Sequence, residues 1–198
     1  MQSIENKILI NIKSKLRGVL LFAEDFQDFG TGEAIRLALH RLEKKNEITR
    51  VAQGIYVRPV ISELIGPVLP TAEEVAKAIA KRDRIRIIPA GAYAMNALGL
   101  STQVPLKLVL LTDGSPRVIK IRKCTIKLKK TAPKILQAKG EISSLVIQAL
   151  KEIGNGKYTV EEEQKIIEML KKENPQHLVH DLTLAPAWIR IIMRKALL

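Results

Sequence analysis

Eleven side chains in this sequence have the chemistry and spacing to hold a polyanion, in two groups. Thr31, Arg36, His40 and Arg41 lie along a stretch with helical periodicity, and Arg50, Gln53 and Arg58 surround a glycine turn just after it. A helix fits the major groove of DNA, where its outer side chains reach base edges. Cations beside it neutralise phosphates. The second group is Lys120, Arg122, Lys127 and Lys129, which alternate with Ile119, Ile121, Ile126 and Leu128. A period of two puts the four cations on one face of a β-hairpin and the apolar residues on the other. Like charges across a ladder cost roughly 0.2–1 kcal/mol per pair, which an acidic partner offsets. The competing reading is a solvated face whose lysines discourage edge pairing.

Other chemistries find no comparable pattern. Gly91, Gly99 and Gly114 fit no phosphate loop. No grouping of Ser, His and Asp has a catalytic order. The carboxylates Glu73-Glu74 and Glu161–Glu163 fall at helix starts, where they favour the helix dipole. His177 and His180 are three apart and near Asp181, but no third ligand accompanies them, so no metal is expected. The single Cys124 excludes an intramolecular disulfide and a Cys-rich zinc module. The expectation is a protein without catalytic residues, metal or cofactor, and not an enzyme.

Those side chains need elements to position them. The 198 residues are 46% hydrophobic but only 4% aromatic, so the core must be built of Ile, Leu, Val and Ala. No uncharged apolar run approaches the ~18–20 residues of a membrane span, and charges interrupt the N-terminal apolar stretch as they would not in a secretory signal. A cytoplasmic, nucleoid-associated protein with no membrane partner is expected. The net charge of +13 is uneven. Residues 1–60 carry ten Lys/Arg against seven Asp/Glu, a net of +3, whereas residues 61–140 carry 15 against five, a net of +10. Residues 141–198 are balanced, eight against eight.

The first segment reads as three short helices and a hairpin. Ser3 caps a helix to about Leu16, with Ile4, Ile8 and Ile12 as its stripe, widened by Leu9 and Leu16, and Gly18 as its stop. An apolar run, Leu20–Phe22, precedes a short helix over Glu24–Phe29. Thr31 caps a third helix to about Lys45, burying Ile35, Ala38, Leu39 and Leu42 and turning Arg36, His40, Arg41 and Lys44 outward. Two strands, 48–51 and 55–59, turn at Gln53-Gly54. That element order is a winged helix-turn-helix, whose last helix enters the major groove while the wing lies on the backbone. Such modules also serve in protein interaction.

Val60–Pro70, with Pro67 and Pro70 around Gly66, reads as a linker between domains 1–60 and 61–198. The second domain begins with a capping box at Thr71–Glu74 and a helix to about Lys81. A strand over Arg84–Ile88 and a small-residue helix over Ala90–Leu98, opened by Pro89, come next. Strands over Leu106–Leu111, Arg117–Arg122 and Thr125–Lys130 follow, the last two turning at Lys123-Cys124. Helices over Glu141–Ile153, from Thr159 to about Lys172, and over Leu184–Leu197 complete the chain. The fold class is therefore α+β: a winged helix-turn-helix, then a mixed α/β domain with a basic hairpin and C-terminal helices.

The chain resembles the AbiEi-like antitoxins and related small bacterial winged-helix proteins. The residues that carry this are Asp25-Phe26, Ala38-Leu39-His40-Arg41-Leu42, Ile48-Thr49-Arg50-Val51 and Gly54-Ile55-Tyr56-Val57-Arg58-Pro59. Most specific is Ala97-Leu-Gly-Leu-Ser-Thr-Gln-Val-Pro105, followed by Leu111-Thr-Asp-Gly114. The resemblance implies an N-terminal domain that binds double-stranded DNA, an inverted repeat in its own promoter, and represses its operon. It also implies an antitoxin domain acting against a nucleotidyltransferase-like toxin in a type IV abortive-infection system. The alternative from the residues alone is a basic adaptor for RNA or an acidic protein, without antitoxin activity.

Overall fold

A computed structural model describes residues 2–103, 105–122 and 124–198. The chain is mixed α+β and divides into two compact units, Met1–Ile79 with Ile119–Thr125, and Ala80–Val118 with Ile126–Leu198.

The first unit begins with helix α1, Ile4–Ser14, whose N-cap Ser3 accepts from the Asn6 amide. Its buried residues are Ile8 and Ile12, four apart on one face. The helix ends before Leu16, which is 82% exposed and does not join the stripe as expected. Strand β1, Leu20–Phe22, leads into a 3-10 helix, Ala23–Phe29, that buries Phe26. Helix α2, Gly32–Lys44, is capped by Thr31 and buries Ile35, Ala38, Leu39 and Leu42, the expected face. Asn46, at φ +58, then turns the chain. Strands β2, Thr49–Ala52, and β3, Ile55–Val57, pair antiparallel, and β1 pairs with the other side of β3, giving the order β1-β3-β2. Ile8, Ile12, Leu21, Phe26, Leu39, Leu42 and Ile48 fill the core beneath this sheet.

The segment expected to be a linker is ordered. Val60–Ser62 (β4) and Gly66–Val68 (β5) form a separate antiparallel hairpin, with Ile61 opposite Pro67. Two prolines and a glycine suggested a connector, yet Pro67 is tolerated because a two-stranded sheet has free edges on both sides. Helix α3, Ala72–Asp83, follows the expected capping box: the Thr71 amide donates to Glu74 Oε2 at 2.7 Å and the Glu74 amide to Thr71 Oγ1 at 3.2 Å. Val75, Ala76 and Ile79 are buried.

Strands β6 (Ile87–Pro89), β7 (Lys107–Thr112), β8 (Arg117–Ile121) and β9 (Cys124–Lys130) form one sheet in the order β6-β7-β9-β8. The strand expected over 84–88 starts late because Arg84 sits at φ +54. Pro89 ends β6 opposite Leu110 instead of opening a helix. Helix α4 is accordingly only Ala92–Ala97. Of the turn expected at Lys123-Cys124, Lys123 lies outside the described residues, and Cys124 already belongs to β9.

The second unit's core is built by α5 (Glu141–Ile153) with α6 (Val160–Leu170), α7 (Pro175–Leu182) and α8 (Ala187–Lys195). Asn174-Pro175 opens α7, with Asn174 as cap and Pro175 in the first turn. Helix α8 starts after Pro186; it buries Ile189, Ile192 and Met193 and leaves Ile191 exposed.

Gly91 precedes α4 at φ +55 and ψ −130, a region open essentially to glycine. A Cβ there would also meet Glu152 Oε2 at 2.8 Å. Gly91→Ala is expected to destabilise the second unit by about 1–3 kcal/mol, read as a lower urea midpoint at unchanged slope. A shift smaller than that of an exposed Gly32→Ala control would contradict this account of the turn.

Candidate nucleic-acid interface

The outer face of α2 follows from its inner one. With Ile35, Leu39 and Leu42 buried, helical geometry turns Arg36, His40 and Lys44 outward as a stripe with i, i+4 spacing. All three are exposed. Arg36 and Lys44 form no side-chain ion pair among the described residues, and His40 Nδ1 lies 3.9 Å from Glu43 Oε2. Arg41 lies to one side. It and Lys45 share Glu5 of α1, at 4.0 and 2.5 Å. Part of the charge near Arg41 is thus neutralised within the unit. Exposed pairs of this kind are weak, so Arg41 is screened but not removed.

The other expected site residues divide. The Thr31 hydroxyl accepts from the Ala34 amide at 3.4 Å, so its first role is to fix where α2 begins. Arg50 is exposed on β2 opposite Tyr56, and its Nε–H donates to the Ala52 carbonyl at 3.4 Å. Burial raises the Tyr56 hydroxyl pKa, and the Arg50 charge acts to lower it. Gln53 is exposed at the turn. Arg58 is not on the wing tip. It lies past the far end of β3, half-buried, and its guanidinium donates to the Lys13 carbonyl at 3.5 Å.

On the four-stranded sheet the alternation is as expected. Ile121, Ile126 and Leu128 are buried, whereas Lys120, Arg122, Lys127 and Lys129 are exposed. Arg122 follows β8 at φ +41 and so does not continue its pleat. Lys120 and Arg122 belong to the first unit, Lys127 and Lys129 to the second. Nearby cations are engaged otherwise. Arg86 binds Asp113 through its amide at 2.8 Å and Nε at 3.1 Å, which holds the Asp113 pKa below its usual value. Arg82 and Arg117 both bind Asp83, and their hydrogen bonds outweigh burial to lower its pKa. The side chains of Lys120, Arg122, Lys127 and Lys129 have no such partner among the described residues.

One cluster was not legible in the sequence. Asp181 is fully buried and accepts from the Lys139 and Gly140 amides, from Ser143 Oγ and from His180 Nδ1 at 2.7 Å. Burial acts to raise its pKa, but these hydrogen bonds lower it on balance. Glu173 Oε2 accepts from the Ile142 amide at 2.8 Å and the Ser143 amide at 3.3 Å. Ser, His and Asp therefore meet here, but both Ser143 and His180 donate to the carboxylate, and no histidine stands ready to activate the serine. The two carboxylates instead satisfy the orphan amides at the start of α5. The signal was weak because the partners lie far apart in the chain, Gly140 and Asp181 being 41 residues apart. No group of three His, Cys, Asp or Glu fit to hold a metal occurs among the described residues. No helix among them is long and apolar enough to cross a membrane.

A family model described as "Family of unknown function (DUF6088)" matches residues 7–178. No curated protein matches the chain.

Proposed function

The chain belongs to the DUF6088 family, whose function is unknown, and for this member we propose a DNA-binding transcriptional regulator that docks α2 in the major groove. The observation that carries this reading is the Arg36, His40 and Lys44 stripe, exposed along a helix whose opposite face is locked into the core. The surrounding elements support it. Helix, strand, 3-10 helix, helix and a two-stranded hairpin, with the sheet order β1-β3-β2, make a layout suited to a winged helix-turn-helix. Arg50 and Gln53 then supply the wing contacts. Autoregulation of the protein's own operon and an antitoxin role toward a nucleotidyltransferase-like toxin rest on the resemblance of Ala97–Pro105 and Leu111–Gly114 to AbiEi-like antitoxins.

A duplex carrying an inverted repeat from its own promoter tests the reading. The logarithm of affinity is expected to fall linearly with that of salt concentration, and the promoter to be preferred over a random duplex by about 1,000-fold or more. Equal affinity for both duplexes would remove the regulator reading. It would favour the basic-adaptor reading, for which the exposed Lys127 and Lys129 of β9 are the observation. Growth rescue on co-expression with an adjacent nucleotidyltransferase-like reading frame checks the antitoxin role separately.

A further inference from the structure

The β4–β5 hairpin projects apolar side chains that the first unit's core does not use. Leu64 and Ile65 at its tip are 95% and 76% exposed, and Ile61 on β4 is 57% exposed. The hairpin forms its own sheet. Two strands alone are marginal in water, and clustered exposed apolar residues mark a contact surface.

Pro67 decides which edge of this sheet is usable. Its register partner is Ile61. Proline has no N–H, so this pair cannot be one that exchanges hydrogen bonds, and the two peptides point outward, away from each other. The outer edge of β5 therefore lacks a donor. The outer edge of β4 offers both the N–H and the C=O of Ile61, and neither bonds to a group beyond the hairpin among the described residues.

Charge decides what can approach that edge. Two copies of a chain with net charge +13 repel over most of their surface. No Lys or Arg occurs between Arg58 and Lys77, and Glu63 is the only charged residue in the hairpin.

We propose that β4 pairs antiparallel with β4 of a second copy across a two-fold axis at Ile61, making the protein a homodimer. The pairing sets Glu63 opposite Pro59 of the second copy, whose carbonyl accepts from that copy's Arg17 at 3.0 Å, so the two Glu63 carboxylates stay apart and each approaches a cation. The contact is isologous, and Pro67 closes both outer edges, so the sheet stops at four strands. Pro59 lacks an N–H as well, which keeps the ladder short and the dimer weak. This inference stands whether or not the protein binds DNA.

Sedimentation of the full chain from about 1 to 100 micromolar brackets an interface of this class. The mass is expected to rise from 22.1 kDa toward twice that value. Ile61→Lys with Leu64→Lys, both at exposed positions, is expected to stay monomeric at every concentration with an unchanged circular dichroism spectrum. Pro67→Val restores a donor on the outer edge and is expected to form species larger than the dimer. A wild type that remains at the monomer mass overturns the proposal. So does a double variant that dimerises like the wild type, or a Pro67→Val variant that stops at the dimer.

Discussion

Asp181→Ala is expected to cost the second unit about 3–4 kcal/mol, because it leaves several buried donors without an acceptor at once. The Lys139 and Gly140 amides and Ser143 Oγ all converge on this carboxylate, which has no exposed surface. Each abandoned donor costs about 1–3 kcal/mol when water cannot reach it, and partial relaxation keeps the total below the sum. Loss of the α5 cap is part of the same effect. Asp181→Asn keeps one acceptor oxygen but faces the remaining donors with an amide, so its loss is expected to lie between wild type and Ala. Trp188, the only tryptophan, lies on α8, so its fluorescence reports this unit's unfolding. A loss for Asp181→Ala no larger than that for Ser143→Ala would show that the carboxylate does not organise the start of α5.

The same group sets an acid limit. Its folded-state pKa lies below the ordinary value of 3.8, with burial opposing and the hydrogen bonds from Ser143, His180, Lys139 and Gly140 prevailing. A depressed carboxylate pKa contributes stability above its unfolded value and loses it as pH falls through the folded one. The contribution is therefore complete above about pH 5 and is lost progressively as pH falls below about 4. In Asp181→Asn that part of the acid dependence is expected to flatten.

What the sequence revealed, and what it hid, followed the range of the interactions. Helix α2 was legible throughout: Thr31 caps it, and Ile35, Ala38, Leu39 and Leu42 face the core. Each of those features is decided within a few residues. The capping box at Thr71–Glu74 and the alternation of β8 and β9 were legible for the same reason. Leu16 was misplaced because apolar spacing persists two residues past the end of α1. The β4–β5 hairpin reads as a linker in the sequence because Pro67 marks a break in most contexts, though an edge position accepts it. Asp181 with Ser143 depended on tertiary contact and had no local signature. At the candidate interface, the sequence placed Arg36 and His40 on the outer face of α2, but it gave Arg41 and Arg58 the same standing. Only the fold shows Arg41 beside Glu5 and Arg58 bonded to the end of α1.

That separation makes the sharpest test of the DNA reading. Arg36→Glu with Lys44→Glu is expected to weaken promoter binding by about 100-fold or more, since each removed cation costs about 1–3 kcal/mol at a base, or one unit of salt slope at a phosphate. Both side chains are exposed and lie on the outer face of α2, so the core formed by Ile35, Leu39 and Leu42 is untouched and the thermal midpoint should hold. Arg58→Ala removes one formal charge, as Arg36→Ala does, but from a half-buried group engaged with the Lys13 carbonyl, and a change below about 3-fold is expected, less than a single good base contact supplies. Arg41→Ala should fall between the two, because Glu5 already offsets part of its charge. If net charge alone drove binding, Arg36→Ala, Arg41→Ala and Arg58→Ala would be equivalent and would share one salt slope. The ranking Arg36 above Arg41 above Arg58 is instead what docking through the α2 stripe requires, and equal losses would reassign the contact to a diffuse basic surface.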